Sequence, residues 1–244
     1  MAGFRDGTRP GCMRAGPGAQ PTGDNEMTRQ AGADMPLKFV ICGMEHSGTT
    51  MASDLFRQAP GIDAGFEVGV LLRDTPAEFA DLKPFSKNIL KGWDITEQEL
   101  QECCRAPTHA DFYRRLKGFS RAIDPDAAAI FDKTPRYLAQ LESCLMRVDV
   151  PFIVMHKDPR AIVASDFKRA KTSDFAAWYA DYMPRKRRYM TTCHGQWTAA
   201  AGNPRVLRVG LEELAMNARA SMERMFAHVG LEFRIDYAVM TGLR

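Results

Sequence analysis

The sequence predicts an α/β protein in which helices cover both faces of a parallel sheet, giving three layers. Short apolar runs alternate with helical patterns along much of the chain. Its 244 residues are 45% hydrophobic and 26% charged, enough to bury a sizeable core without disulfides or metals. Strands that alternate with helices imply parallel pairing, and ligands of such sheets bind at the carboxyl ends of the strands.

The chain begins with a segment whose composition does not suit a core. Residues 1–36 contain seven Gly and four Pro. We expect a disordered tail over 1–36 and one folded domain over 37–244. Met27 and Met35 are further positions at which the working protein could start.

The first folded element is an apolar run at 38–43 that ends in Gly, as a buried parallel strand does. A loop and a helical pattern over 51–58 follow it. Further strands are predicted at 62–70, 127–132, 151–156 and 205–210. Helices are predicted at 137–148, 161–169 and 211–229, and mostly helical insertions at 73–125 and 171–204.

Charge and hydropathy exclude several classes of protein. The net charge is +3, from 33 basic and 30 acidic residues, which is too balanced for a nucleic-acid partner. Apolar runs such as 152–155 are far shorter than the roughly 20 residues that span a membrane, and the N-terminus has no secretory apolar segment. We expect a soluble, cytoplasmic protein without a transmembrane segment.

The six cysteines are expected to be free thiols, because the chain has no secretory signal and no C-x-x-C pair. Cys104 with His109, and Cys193 with His194, are conceivable metal ligands. Their spacings do not repeat and no second pair completes a tetrahedral site, so we expect no metal.

The first candidate site is the loop from Gly43 to Thr50, Gly-Met-Glu-His-Ser-Gly-Thr-Thr. Its spacing fits the phosphate-binding pattern G-x-x-x-x-G-K-[ST], except that Thr49 occupies the lysine position. Backbone N–H groups and the helix N-terminus favour an anion here, but the lysine that reaches the outer phosphates of a triphosphate is missing. The alternative is a turn that only opens a helix.

The second candidate site follows the strand at 151–156. Lys157 lies at the strand end and Ser165 eight positions later, so the two could hold a second anion. Asp158 is the expected N-cap of the intervening helix, with Pro159 in its first turn. The alternative is a solvated helix start.

The third candidate is Phe131-Asp132-Lys133-Thr134-Pro135, another strand that runs into a cation and a proline. The alternative is a structural salt bridge between Lys133 and a neighbouring acid.

Taken together, Ser47-Gly48-Thr49-Thr50 and the spacing of Lys157 and Ser165 resemble the two signature elements of sulfotransferases that use 3′-phosphoadenosine 5′-phosphosulfate (PAPS). The resemblance implies a P-loop-like fold and a metal-independent reaction. The family's first element, a basic residue before Ser-Gly-Thr-Thr, holds the 5′-phosphosulfate, and His46 stands at the basic position here. Arg and Ser usually contact the 3′-phosphate, which implies that role for Lys157 and Ser165.

The segment from Asp132 to Pro135 is similar to the Lys-x-Pro element of the tyrosylprotein and bacterial branches, in which the lysine lies beside the transferred group. Those branches have a Glu base soon after the first helix, which implies that role for Glu67. The alternative for Glu67 is an ordinary carboxylate paired with Arg73 or Lys133. His46 and Lys133 would then stabilise the leaving oxygen, and the loop threonines would hold the 5′-phosphate.

The resemblance covers roughly 38–232, including a last strand and helix over 204–230. The segment that closes over the nucleotide in the family corresponds to 232–244. A basic stretch at 185–188, flanked by aromatic residues, could bind an acidic acceptor such as a sugar polymer or could be a solvated helix face.

The predicted function is transfer of a sulfuryl group from PAPS to a hydroxyl of a carbohydrate, a small alcohol or phenol, or a peptide tyrosine, with a carboxylate as base. One alternative is a phosphotransferase of the nucleotide-kinase type, against which Thr49 argues. The other is a non-catalytic nucleotide-binding protein of the same fold.

Overall fold

The computed structural model describes residues 35–234. The predicted tail over 1–34, with Cys12 and Met27, and the segment 235–244 lie outside the described residues. Within residues 35–234, no helix combines the length and the apolar character needed to cross a membrane.

The described part of the chain contains a five-stranded, fully parallel sheet in the order β2-β3-β1-β4-β5. Strand β1 is central, and its residue Val40 pairs with Asp132 on one side and Phe152 on the other. Six of its seven residues are buried, as expected for a strand covered on both faces. The strands are β1 (Leu37–Gly43), β2 (Ile62–Asp63), β3 (Ala129–Lys133), β4 (Phe152–His156) and β5 (Val206–Gly210).

Nine α-helices and three 3₁₀ helices connect these strands within residues 35–234. The α-helices are α1 (Thr49–Phe56), α2 (Phe85–Gly92), α3 (Glu97–Cys104), α4 (His109–Phe119), α5 (Leu141–Arg147), α6 (Pro159–Arg169), α7 (Phe175–Ala199), α8 (Leu211–Met216) and α9 (Ala218–His228). The 3₁₀ helices are Val70–Leu72, Pro76–Asp81 and Pro135–Gln140.

Two apolar clusters lie on opposite faces of the sheet and confirm the predicted three-layer α/β fold. One cluster packs α1 and α9 on the sheet, with the rings of Phe39 and Phe131 stacked at 4.8 Å and those of Phe56 and Phe226 at 4.5 Å. The larger cluster packs α4, α5 and α7 on the other face. The predicted insertions are largely helical, as α2 to α4 and α7.

The predicted strand over 62–70 is wrong beyond Asp63, where β2 ends. The backbone N–H of Phe66 donates to the Gly92 carbonyl at 3.1 Å, and that of Val68 donates to the Asp132 carboxylate at 3.4 Å. Because these donors bind the C-terminus of α2 and a side chain, the residues after Asp63 make no sheet ladder. It is a partly buried loop, with Phe66 48% exposed, that carries Glu67 to the carboxyl edge of the sheet.

Two predicted helices are also divided. The segment 137–148 starts in a 3₁₀ helix and becomes α5 only at Leu141. The segment 211–229 is two helices, because Asn217 leaves helical geometry at φ −130° and ψ 53°.

The five described cysteines are buried free thiols. Burial raises the pKa of Cys193 and of Cys104 to about 11. Within residues 35–234 no group of three or more His, Cys, Asp or Glu side chains is arranged to hold a metal ion.

Candidate active site

The loop between β1 and α1 is a tight turn held by Ser47. The Ser47 hydroxyl donates to the Met44 carbonyl at 2.6 Å, and its backbone N–H donates to the same oxygen at 3.1 Å. Ser47 is fully buried, so its hydroxyl supports the turn. His46 and Gly48 both have left-handed backbone geometry, at φ 68° and 92°.

Close packing fixes this loop against the strand ends. A Cβ atom on Gly48 would lie 2.7 Å from Leu211 Cδ1, and one on Gly43 would lie 2.4 Å from the Met155 carbonyl oxygen. No side chain caps α1. The backbone N–H groups of its first turn, which begins at Thr49, therefore remain available to bind an anion at the N-terminus of the helix.

Asp166 of α6 links the loop to two helices. Its carboxylate lies 3.0 Å from His46 Nε2 and 2.9 Å from Lys186 Nζ of α7. The Tyr182 hydroxyl also donates to it. Lys186 is 10% exposed and Asp166 13%, so this is a largely buried charge network beside the loop.

Lys157 follows the carboxyl end of β4, and Ser165 lies within α6. Lys157 lines a mostly apolar cavity of about 480 Å³ with His156 and Trp197, whereas Ser165 lies on α6 outside that lining. Lys157 forms no ion pair within the described region. The two side chains remain candidates for the 3′-phosphate, without a contact between them.

Asp158 caps α6, as predicted. Its carboxylate accepts from the Arg160 backbone N–H at 2.8 Å, and the Arg160 side-chain hydrogen bond is the main cause that lowers its pKa to about 2. The first turn of α6 therefore already has its own anion. A second anion at this edge would have to be held by side chains.

Glu67 and Lys133 meet as an ion pair, with Lys133 Nζ 3.0 Å from Glu67 Oε1. Lys133 ends β3, is only 7% exposed and lies 4.9 Å from the Phe66 ring centroid. The pairing with Lys133 that the sequence offered as an alternative is thus present, and Arg73 is not the partner. The second carboxylate oxygen of Glu67 makes no hydrogen bond within the described region.

Asp132 is a site residue whose function the sequence analysis missed. Its buried carboxylate accepts from Tyr113 and Tyr137, both at 2.6 Å, from Thr134 at 2.7 Å and from the Val68 N–H at 3.4 Å. Burial raises its pKa, and the hydrogen bonds oppose that shift. This carboxylate therefore fixes the residues that adjoin both members of the ion pair.

A second cavity, of about 670 Å³, opens beside the ion pair. Its wall includes Glu45 of the loop and Glu67, so it adjoins the anion-binding turn. Three cations also line it, Arg73, Lys83 and Arg136. We call this the Glu67 cavity.

The basic stretch 185–188 lies within α7. Arg185 pairs with Asp181 at 3.2 Å, and Lys186 pairs with Asp166. Arg187 lines the cavity that contains Lys157. Two residues of this stretch therefore adjoin the candidate site. Lys186 contacts the carboxylate beside the loop, and Arg187 lines the Lys157 cavity.

A parallel α/β sheet with a tight glycine turn after its central strand, and Thr49 at the lysine position of that turn, is the arrangement that the sequence motifs predict. The profile described as "Sulfotransferase family" matches residues 37–234. The chain belongs to the sulfotransferase family, as its motifs predict.

Solved sulfotransferases share this fold at low sequence identity. The sulfotransferase domain of the Synechococcus PCC 7002 olefin synthase is 18% identical, with a TM-score of 0.57 over 83% of this chain and 75% of that chain. Sulfotransferase STF1 of Mycobacterium tuberculosis H37Rv is 13% identical, with a TM-score of 0.51 over 89% and 73%. Mouse sulfotransferase SULT7A1, complexed with PAP, is 14% identical, with a TM-score of 0.52 over 89% and 67%. No curated protein sequence matches the chain.

Proposed function

We propose that this sulfotransferase uses PAPS and transfers its sulfuryl group to a hydroxyl acceptor with Glu67 as the base. The observation that carries the proposal is the Glu67–Lys133 pair on the wall of a cavity that the loop residue Glu45 also lines. A carboxylate and a cation thus lie beside a cavity that the loop also lines, which supports a role for them in sulfuryl transfer.

The residues of the loop suit the 5′-phosphosulfate. The uncapped first turn of α1 offers N–H donors, and Thr50 presents an exposed side chain beside them. Lys157 and Ser165 supply a cation and a hydroxyl for the 3′-phosphate. A solved relative of the same fold is complexed with PAP, which supports the same nucleotide for this chain.

PAPS supplies the sulfuryl group when bound. Glu67 accepts the acceptor's hydroxyl proton while the new oxygen–sulfur bond forms and the bond from sulfur to the 5′-phosphate oxygen breaks. The free carboxylate oxygen is the proton acceptor, because Oε1 accepts from Lys133. Lys133 and His46 donate toward the leaving oxygen as its charge grows. The products are a sulfate ester and 3′-phosphoadenosine 5′-phosphate.

The test of this assignment is Glu67→Gln, assayed for turnover of radiolabelled PAPS against a panel of hydroxyl acceptors. We expect turnover to fall roughly 10²-fold or more, the usual contribution of a general base. The dissociation constant for 3′-phosphoadenosine 5′-phosphate should stay within about twofold, because Glu67 is not among the nucleotide contacts.

Glu142→Gln is the matched control, since Glu142 is an exposed carboxylate bonded to Gln196 on α7. It should leave turnover unchanged. Unchanged turnover in Glu67→Gln would remove Glu67 from the mechanism and direct attention to His46.

A further inference from the structure

We propose that the acceptor of this enzyme carries an anionic group, a carboxylate, sulfate or phosphate, which Arg73 and Lys83 bind in the Glu67 cavity. The inference rests on the proposed function and adds to it the chemical class of the acceptor. It follows from the charges on the cavity wall that the protein leaves unpaired.

Arg73 is the first of these charges. Its Nε is buried and has no hydrogen-bond partner, and its guanidinium forms no ion pair within residues 35–234. Buried polar donors in native proteins are almost always hydrogen-bonded, because leaving one unpaired is costly. Arg73 lines the cavity, and no carboxylate of the described residues pairs with its guanidinium, so its charge is available to a ligand with acceptor oxygens.

The backbone of Arg73 is fixed from both sides. Its N–H donates to the Val70 carbonyl at 3.1 Å, and its carbonyl lies 3.1 Å from His109 Nε2. Burial lowers the pKa of His109, which favours the neutral ring. The Arg73 side chain thus extends from a backbone that hydrogen bonds hold in place. Its planar guanidinium can donate two parallel hydrogen bonds to the oxygens of a carboxylate or sulfate.

Lys83 is the second charge. It is exposed and forms no ion pair in the described part of the chain. The carboxylates of the same wall are already engaged, Glu67 with Lys133 and Glu45 with Arg136 at 3.4 Å. The charge that remains available to a ligand in this cavity is therefore positive.

The apolar part of the wall gives the acceptor its shape. Leu72, Leu82 and Phe85 line the cavity together with the two free cations. An acceptor that fits all three features has a hydroxyl near Glu67, an apolar body or ring and an anion at its other end. Aromatic hydroxy acids and acidic sugars have this arrangement, and neutral phenols lack its last feature.

The experiment compares three phenols of matched size, 4-hydroxyphenylacetate, its neutral amide and the cation tyramine. Binding of each is measured by isothermal titration to the full chain saturated with 3′-phosphoadenosine 5′-phosphate, so that no turnover is needed. We expect the carboxylate to bind about tenfold or more tightly than the amide, as a charge-assisted hydrogen bond predicts. Arg73→Gln with Lys83→Gln should remove that preference.

Two further variants keep the test decisive. Lys91→Gln with Arg105→Gln removes the same charge outside the cavity lining and should retain the tenfold preference. Lys83→Glu changes an exposed side chain and should weaken the preference for the carboxylate over the amide, because Arg73 then remains as the single free cation of the pair. This variant serves if the Arg73 substitution impairs folding.

Equal affinity of carboxylate and amide, no saturable binding of the carboxylate, or an unchanged preference in Lys83→Glu would each overturn the proposal. Binding of 3′-phosphoadenosine 5′-phosphate is measured first and separately. Its loss would instead count against the proposed function, so the two failures are distinguishable.

Discussion

Asp132 shows how one buried carboxylate can organise the reacting groups around it. It accepts from four donors, in the loop at Val68, at Thr134 just after β3 and in two helical segments, and no cation pairs with it in the described region. Hydrogen bonds to a charged acceptor are stronger than neutral ones, and donors left without an acceptor in the core are costly. The site therefore depends on Asp132 although Asp132 does not line the Glu67 cavity.

Asp132→Ala should lower the free energy of unfolding by about 3–5 kcal/mol, because it leaves two tyrosine hydroxyls, a threonine hydroxyl and an amide without their acceptor. Urea denaturation followed by circular dichroism measures this. Asp149→Ala is the control, since Asp149 is 97% exposed and its pair with Arg205 is worth at most about 1 kcal/mol. Equal midpoints for the two variants would contradict the role given to Asp132.

The candidate site residues that lie in short motifs, and the possible pairing of Glu67 with Lys133, could be predicted from the sequence, whereas the partners on α6 and α7 could not. Lys133 stands at the end of a predicted strand, and Glu67 stands where the family resemblance puts a base, so both could be named in advance. Asp166 could not, because its partners His46 and Lys186 meet it only through folding. Tyr182 and Lys186 are four residues apart on α7 and so share a helix face, but nothing local indicates which carboxylate they contact.

The turn between β1 and α1 depends on Gly48 for both conformation and space. We expect Gly48→Ala to destabilise the protein by about 2–4 kcal/mol, because alanine is strained at φ 92° and its Cβ would lie 2.7 Å from Leu211 Cδ1. Affinity for 3′-phosphoadenosine 5′-phosphate should fall in the same variant. Thermal unfolding and titration of the nucleotide measure the two effects.

Gly195→Ala is the matched control for that substitution. Gly195 lies inside α7, and apart from the neighbouring residues and backbone of its own helix no atom lies within 4 Å of the position that an alanine Cβ would take there. Alanine should therefore stabilise the protein by about 0.5–1 kcal/mol without changing nucleotide affinity. If Gly48→Ala behaves like Gly195→Ala, the close packing of the turn is not required.

The regular elements were predicted where burial on both faces produces a continuous apolar run, as in β1 and β4. The pattern was misleading at 62–70, where apolar residues are buried in a loop that binds Asp132 and Gly92 instead of a neighbouring strand. An apolar run in the sequence predicts that the segment is buried. Whether the segment is a strand or a loop depends on the partners of its backbone hydrogen bonds, which the run does not indicate. The break between α8 and α9 is likewise not evident in the sequence, where Asn217 is the single polar residue that marks it.

The folded unit of the molecule is predicted not to need the first 34 residues. Every residue proposed to bind the nucleotide or to act in catalysis lies between positions 43 and 165, and the composition of residues 1–34 does not suit a core. Deletion of 1–34 should leave both the melting temperature and the affinity for 3′-phosphoadenosine 5′-phosphate unchanged. A large drop in melting temperature would show that the segment packs on the domain.

The central claim is that the chain has two separate anion sites, one for each end of a 3′,5′-bisphosphorylated nucleotide. We propose that the turn at Ser47 to Thr50 binds the 5′ group and that Lys157 with Ser165 binds the 3′-phosphate, which ATP lacks. A ligand at about a hundred times its dissociation constant stabilises the native state by about 2.7 kcal/mol, a shift of roughly 5–10 °C for a domain of this size.

The most direct test is therefore a comparison of melting temperatures with two nucleotides. We predict that 3′-phosphoadenosine 5′-phosphate raises the melting temperature by roughly 5–10 °C without added metal and that ATP with Mg²⁺ raises it far less. Lys157→Ala with Ser165→Ala should remove the difference. Equal or greater stabilisation by ATP with Mg²⁺ would contradict the account and favour a kinase-like phosphotransferase.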